Sequence, residues 1–206
     1  MREKDLRLLR LLLVSTLTSL WAQAKADDFE VQAQSRPNDV PAAVLPGTGF
    51  VVRPGYFETR NESLRPLLEA IAVWLSSEFD LPPPSNPPTI SWVPAERLSR
   101  LRFRGLPSDH WGGEKADILA VYDDDARTIY LPAGWNGRTP AELSILAHEM
   151  VHHLQNLAGL KFACPQEREQ IAYEAQQRWL RLFGSDLAAD FQIDGFMLLV
   201  LTNCPM

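Results

Sequence analysis

The chain has 206 residues, of which 46% are apolar and 22% are charged, and its formal net charge is −6. This length is sufficient for one domain with a sizeable hydrophobic core. Because the chain is acidic and has no basic cluster after its N-terminal segment, nucleic acid and anionic membrane surfaces are excluded as its main ligands.

The N-terminal segment, residues 1–24, predicts a secretory signal peptide. Four basic side chains precede an apolar run over 11–20, and Ala22–Ala24 has the small-x-small pattern of a cleavage site, with Ala24–Ala26 as a close alternative. The apolar run is much shorter than the roughly 20 residues of a membrane-spanning helix, which disfavours a membrane anchor. We therefore expect a secreted or periplasmic protein that has no membrane span after cleavage.

Prolines and glycines are frequent in residues 25–60, which predicts an extended or partly disordered arm, and a single domain is predicted over residues 61–206. Within that domain, apolar residues recur at three- and four-residue steps over 64–79, as in an amphipathic helix. A proline-rich connector then leads to a predicted strand, Thr89–Val93, and to a short helix over 95–103.

Two β-rich runs, Asp117–Tyr122 and Thr128–Leu131, flank an acidic segment, which predicts a β-hairpin. The three aspartates of this turn lack the spacing and the terminal glutamate of a calcium loop, so a solvated turn is predicted instead. His110, in the loop before the hairpin, is interpreted as a solvated side chain, with contact to a substrate as the alternative.

A capped apolar helix is predicted over 139–157. Thr139 is its N-cap, Pro140 occupies the first helical position and Glu142 completes a capping box. Gly159, just past the last apolar residue, is the expected C-cap.

This helix carries His148, Glu149 and His152 in the spacing H-E-x-x-H. The two histidines lie one turn apart on the same face, so both rings can bind one metal ion, and the intervening glutamate can polarise a water molecule on it. Apolar side chains surround the motif, and an unpaired charge in such a helix costs several kcal/mol. A bound divalent cation removes that cost; an exposed polar stripe without metal is the alternative interpretation.

A catalytic zinc ion usually has three protein ligands and a water molecule, so a third ligand is expected from a nearby helix. The helix predicted over 166–183 has an apolar inward face and three carboxylates. Glu169 lies closest to that face and is the predicted ligand. Glu174 is the alternative, although it lies nearer to outward-facing arginines, and Glu167 falls in the first turn, where helices fray.

Cys164 and Cys204 are the only two cysteines of the chain. In an exported protein a single pair is most simply a disulfide bond, which here would join the segment after the metal-binding helix to the C-terminal tail. Zinc ligation by cysteine is the weaker alternative, because neither cysteine has another ligand at a suitable spacing. The tail, over 185–206, is rich in apolar residues and is predicted to form a closing helix packed on the core.

The motif HEMVH at 148–152, followed by EQIAY at 169–173, resembles the gluzincin branch of the zincin metallopeptidases. The likeness extends to small bacterial proteins with H-E-x-x-H and a later E-x-x-A-Y or E-x-x-A-N, including the zincin-like domain of the ImmA/IrrE family. It covers roughly residues 115–185. The resemblance implies an α+β, zincin-like fold, mostly α by residue count, in which a small antiparallel-edged sheet packs on the H-E-x-x-H helix and a second ligand helix.

The resemblance also implies roles for individual residues. His148, His152 and Glu169 would bind Zn2+, and Glu149 would be the general base. In zincin folds an edge strand borders the cleft and can hold an extended peptide by main-chain pairing, and Thr128–Leu131 is the candidate for that strand.

The chain departs from the family pattern near the third ligand. Thermolysin-type gluzincins carry an aspartate four residues after it, which supports a zinc-bound histidine, whereas Tyr173 occupies that position here. A supporting aspartate is therefore expected from the tail, as Asp190 or Asp194. Tyr173 and His153 are the candidates for stabilising the transition state or for supporting a ligand.

The expected function is hydrolysis of peptide bonds in a peptide or protein substrate by a zinc-activated water molecule. The alternative is a non-catalytic zincin-like domain with a binding or regulatory role, motivated by the missing aspartate. Hydrolysis of a different type of bond is a third hypothesis, because a zinc-bound hydroxide does not by itself specify a substrate.

Overall fold

The computed structural model describes residues 41–55, 61–83, 86–104 and 118–205. The predicted signal peptide, His110 and Asp117 lie outside these ranges, as do residues 25–40 and 56–60 of the predicted arm. The described residues form a mixed α/β structure in which helices hold more residues than strands, in agreement with the predicted α+β class.

Six helices and five strands make up the described part of the chain. The helices are α1 (Asn61–Phe79), α2 (Ala95–Arg102), α3 (Pro140–Leu157), α4 (Pro165–Arg181), α5 (Leu187–Phe191) and α6 (Gly195–Thr202). The strands are β1 (Ala43–Val44), β2 (Val51–Val52), β3 (Thr89–Val93), β4 (Val121–Asp123) and β5 (Thr128–Pro132). The elements predicted from periodicity between α1 and α4 are therefore confirmed to within a few residues.

The larger sheet has the strand order β3-β5-β4, with β3 parallel and β4 antiparallel to β5. The hairpin prediction is confirmed, but the prediction that Thr128–Leu131 is the edge strand is wrong. β3 pairs with the side of β5 that does not face β4, so β5 is the central strand. Tyr122 and Ile90 both lie beside Ile129 in register, and β3 and β4 are the two edge strands.

The core lies between the sheet and the helices α1, α3 and α4. Trp74 of α1 and Trp179 of α4 are among its largest buried side chains, and their ring centroids are 6.2 Å apart in an edge-to-face arrangement. The indole Nε1 of Trp179 donates a hydrogen bond to the carbonyl oxygen of Pro140 at 3.2 Å, which ties α4 to the start of α3. The buried indole thus has the polar partner that its burial requires.

A short antiparallel hairpin, β1–β2, precedes α1, where the sequence predicted an extended arm. Leu45 and Val52 are fully buried in the same core as the helices. Thr48 closes the turn, because its backbone nitrogen and its hydroxyl both donate to the carbonyl oxygen of Leu45. Strands of two residues are too short to show alternating hydrophobicity, so the pattern on which strand predictions depend is absent here.

The tail forms two short helices, α5 and α6. The predicted disulfide bond between Cys164 and Cys204 is confirmed, with their Cα atoms 5.7 Å apart, and it joins the start of α4 to the end of α6. The sequence predicts that the tail is one closing helix packed on the core; α6 instead contacts α4 without having a buried residue. Its large exposed side chains, by exposed fraction, are Phe196 (75%), Leu199 (62%), Val200 (55%) and Met197 (44%). No helix among the described residues is long and apolar enough to cross a membrane.

Candidate metal centre

The start of α3 is fixed by its predicted cap. The hydroxyl of Thr139 accepts a hydrogen bond from the backbone nitrogen of Glu142 at 3.1 Å, and the Glu142 carboxylate accepts one from the backbone nitrogen of Thr139 at 3.3 Å. Both partners of the capping box are present, with Pro140 in the first turn. The helix then continues to Leu157, and Gly159 follows with a φ of +63°, in the left-handed conformation typical of a C-cap.

Three predicted ligands converge between α3 and α4. One carboxylate oxygen of Glu169, Oε2, lies 3.1 Å from Nε2 of His148 and 3.3 Å from Nε2 of His152. Among the described residues, this is the group of histidine and carboxylate side chains that can hold a metal ion, with ligand atoms all within 4.8 Å of one another. A zinc ion with tetrahedral bonds of roughly 2.0–2.1 Å separates its ligand atoms by about 3.3 Å, so the two distances from Glu169 fit such an ion.

The outer nitrogen of each histidine faces a glutamine. Nδ1 of His148 lies 3.1 Å from Oε1 of Gln176, and Nδ1 of His152 lies 3.1 Å from Oε1 of Gln155. The orientation of each glutamine amide is fixed. Nε2 of Gln176 donates to the hydroxyl of Ser144, and Nε2 of Gln155 donates to the carbonyl oxygen of Arg168, so a flip that exchanged oxygen and nitrogen would break these bonds. Both amide oxygens are acceptors, so each Nδ1 is the protonated nitrogen and donates to its glutamine.

The two inner nitrogens, Nε2 of His148 and Nε2 of His152, are then unprotonated in the neutral rings. A neutral imidazole protonated at Nδ1 carries a lone pair at Nε2, and both Nε2 atoms face the same carboxylate oxygen of Glu169. Three electron-rich atoms at such distances repel one another unless positive charge lies between them. A divalent cation satisfies all three atoms at once, and the residues present therefore fit a bound metal ion.

The pKa of Glu169 also reflects positive charge close to its carboxylate. Burial alone would raise the pKa of this carboxyl group, but its hydrogen bonds with His148 and His152 and their positive charge outweigh that effect. The pKa of Glu169 is consequently held well below its ordinary range, and the group is a carboxylate at neutral pH.

Glu149 lies beside this cluster, at the wall of a cleft. Its side chain is almost completely buried, and burial raises the pKa of its carboxyl group, an effect that the charge of His148 partly opposes. A carboxyl group with a raised pKa next to a candidate metal site is a stronger base than an ordinary glutamate, which suits it to accept a proton there.

Tyr173 completes the inner part of the cleft from α4. Its ring contacts the His148 ring edge-to-face, with centroids 4.8 Å apart. Burial and the charge of Glu169 raise the pKa of its hydroxyl group to about 12, so the hydroxyl stays protonated and can donate a hydrogen bond.

The cleft in which these groups meet has a volume of about 330 Å³. The cluster and Glu149 line it together with apolar side chains from β4 and the residues just before it, from α3 and from the tail. This apolar lining consists of Ile118, Leu119, Ala120, Val121, Ile145, Phe191 and Ile193. The strand edge bordering the cleft is that of β4, one of the two outer strands of the sheet.

The comparisons with known proteins identify a family but no activity. Residues 60–206 match the family described as a domain of unknown function, DUF6647. The chain belongs to this family. No curated protein and no solved structure matches the chain. The DUF6647 match begins one residue before α1 and includes both helices that carry the candidate ligands.

Several of the predicted residues of this DUF6647 domain lie away from the cluster. Glu174 is on the outer face of α4 and pairs with Arg178 at 2.6 Å, so it is not the third ligand. Asp190 is exposed, and Asp194 caps α6 by accepting a hydrogen bond from the backbone nitrogen of Met197, so neither supports a histidine of the cluster.

His153 is buried but faces away from the cleft. Its Nε2 donates to the carbonyl oxygen of Asn86 at 2.6 Å, and its Nδ1 accepts from the hydroxyl of Tyr122 at 3.0 Å. Burial lowers the pKa of His153, in agreement with a neutral ring in this network. His153 thus connects α3 to the sheet and to the connector before β3, which excludes the predicted role in transition-state stabilisation.

The sequence did not predict the two supporting glutamines, Gln155 and Gln176, because an aspartate was expected in that role. A signal for both was nevertheless present. Gln155 follows His152 by three residues, and Gln176 follows Glu169 by seven, so each lies on the same helical face as a ligand.

Proposed function

We propose that this protein is a zinc-dependent metallopeptidase of zincin type, acting on peptide or protein substrates outside the cytoplasm. The observation that carries the proposal is the meeting of three ligand atoms with a buried glutamate, Glu149, in one open cleft. The disulfide bond supports an oxidising compartment, because such bonds persist in exported proteins.

In this proposal each residue of the site has a separate role in hydrolysis. His148, His152 and Glu169 would hold the zinc ion, which when bound supplies an acidified water molecule and polarises the substrate carbonyl group. Glu149 accepts the proton of that water at its carboxylate and transfers it to the departing amine. The Tyr173 hydroxyl, which stays protonated, donates a hydrogen bond to the substrate carbonyl oxygen as negative charge develops on it.

The proposal is tested with the purified protein, its Glu149→Gln variant and the matched control Glu174→Gln. Zinc content is measured per chain, and a broad peptide mixture is digested and read by mass spectrometry. We expect one zinc ion per chain in all three proteins and cleavage by the wild type and by Glu174→Gln only. Cleavage by Glu149→Gln at the wild-type rate would overturn the role of Glu149. Zinc binding without any cleavage by the wild type would favour the non-catalytic alternative.

A further inference from the structure

Arg102, the last residue of α2, lies at the rim of the cleft. Its side chain is exposed, and within the ranges that the structure describes it makes no hydrogen bond and no ion pair. Its charge nevertheless acts on Glu149 and Tyr173, which places the guanidinium group within electrostatic reach of the reacting groups without binding it to them.

The other arginine that lines the cleft is already neutralised. Arg168 makes two hydrogen bonds of 2.7 Å to the carboxylate of Asp124, in a bidentate arrangement. Just beyond α2, Arg104 pairs with Asp123 at 2.6 Å. Arg102 is therefore the cation of the described cleft lining that has no anionic partner.

The other described charges of the cleft leave the positive charge of Arg102 uncompensated once a metal ion is bound. Two carboxylates, Glu149 and Glu169, line it, and a divalent cation bound at the cluster would balance both. Among the described residues that line the cleft, Arg102 then remains as an unbalanced positive charge near the apolar lining. A peptide that fills the cleft brings both an apolar side chain for that lining and, in some sequences, an anionic group for the arginine.

We propose that Arg102 binds a carboxylate of the substrate, so that peptides with an apolar residue and a nearby carboxylate are preferred. Guanidinium groups bind carboxylates through two parallel hydrogen bonds, which neutral amides cannot match in strength. The carboxylate can be the C-terminus of a short peptide or the side chain of aspartate or glutamate. The substrate class in this inference rests on the proposed function. The test measures binding and does not require peptidase activity.

The test measures binding without turnover, using the zinc-loaded Glu149→Gln protein and calorimetry. One pair of probes is acetyl-Ala-Ala-Leu-Ala with a free C-terminus and the same peptide with a C-terminal amide. The second pair is acetyl-Ala-Ala-Leu-Glu-Ala-amide and its glutamine counterpart. We expect the carboxylate-bearing member of at least one pair to bind about 10-fold more tightly, as for a hydrogen bond to a charged group at a partly exposed site. The pair that discriminates identifies the source of the carboxylate.

Arg102→Gln, made in the same background, should abolish this preference. Arg100→Gln is the matched control, because Arg100 is an exposed arginine of the same helix that does not line the cleft. Equal binding within both pairs, no measurable binding of any probe, or a preference that survives Arg102→Gln would each overturn the proposal. A wild-type protein that cleaves peptides without such a preference overturns it while leaving the peptidase function intact. A preference without any cleavage by wild type supports carboxylate binding and counts against the peptidase function.

Discussion

Gln155 accepts a hydrogen bond from His152 through its amide oxygen at 3.1 Å, while its amide nitrogen donates to the carbonyl oxygen of Arg168 at 3.0 Å. Arg168 in turn donates to the carbonyl oxygen of His152 and to the carboxylate of Asp124 in the β4–β5 turn. One ligand is thus oriented by a network that joins α3, α4 and the sheet. An amide oxygen here fills the role for which the sequence predicted an aspartate.

Replacing this glutamine is expected to weaken metal binding. In Gln155→Leu the Nδ1–H of His152 loses its acceptor, so the ring is no longer held with Nε2 toward Glu169. Loss of such a supporting group typically lowers metal affinity 10- to 100-fold. Competition with a chromogenic zinc chelator measures the change. Gln170→Leu, at an exposed position of α4, is the control and should bind zinc as the wild type does; equal affinities for both variants would contradict the supporting role.

Zinc should also stabilise the fold, because the three ligand atoms come together only in the native state. At a free zinc concentration 100 times the dissociation constant, the free energy of unfolding is expected to rise by about 2.7 kcal/mol. Urea denaturation with zinc and with a chelator measures this rise. His148→Ala removes a ligand and should remove most of the zinc effect. A zinc effect unchanged in that variant would place the bound ion elsewhere.

Tyr173→Phe separates catalysis from metal binding. The hydroxyl of Tyr173 is not a ligand of the cluster, and the phenyl ring keeps the contact with His148. If the hydroxyl stabilises the developing charge on the substrate, kcat should fall roughly 10²- to 10³-fold while zinc affinity stays within a factor of about two. Because the pKa of Tyr173 is raised to about 12, its ionisation should not limit the wild-type rate up to pH 10. A variant with normal kcat would exclude this role.

We expect the acidic β4–β5 turn to cause a pH dependence of stability that is separate from the candidate metal centre. Asp123 accepts hydrogen bonds from the backbone nitrogens of Asp125 and Ala126 and from Arg104. Burial opposes these bonds but does not outweigh them, and the pKa of Asp123 lies below its ordinary value of 3.8. A carboxyl group with a depressed native pKa stabilises the fold above the unfolded-state pKa and loses that effect as the pH falls through the native value.

Wild type should therefore be more stable than Asp123→Asn at pH 6, and the difference should shrink as the pH falls below about 4. Denaturation in urea at pH 6, 4 and 3 measures it. Asp125→Asn is the control, because the Asp125 side chain is 94% exposed and lies 3.8 Å from Arg104. A wild-type advantage that does not change with pH would show that the carboxylate charge of Asp123 is not responsible.

The parts of this structure that the sequence predicted are those determined by neighbours along one helix. The capping box, the two histidines and the face that carries Glu169 all follow from spacings of three to seven residues. The central position of β5 depends on pairing with a strand about 40 residues earlier, which local patterns do not encode. The roles of Gln155 and Gln176 depend on which side chains meet across two helices. The exposure of α6 escaped prediction because an evenly apolar helix has no distinct buried face.

The contrast between α4 and α6 leads to a prediction on stability. Trp179 is fully buried, contacts Trp74 and donates a hydrogen bond to Pro140, so Trp179→Ala should lower the free energy of unfolding by about 3–5 kcal/mol. Phe196 is equally apolar but 75% exposed, so Phe196→Ala should change it by no more than about 0.5 kcal/mol. Urea denaturation of both variants measures these values, and Trp179→Phe provides a milder substitution if the alanine variant does not fold. A loss above about 2 kcal/mol in Phe196→Ala would mean that α6 is covered in solution, because a side chain that stays in contact with water cannot contribute that much to stability.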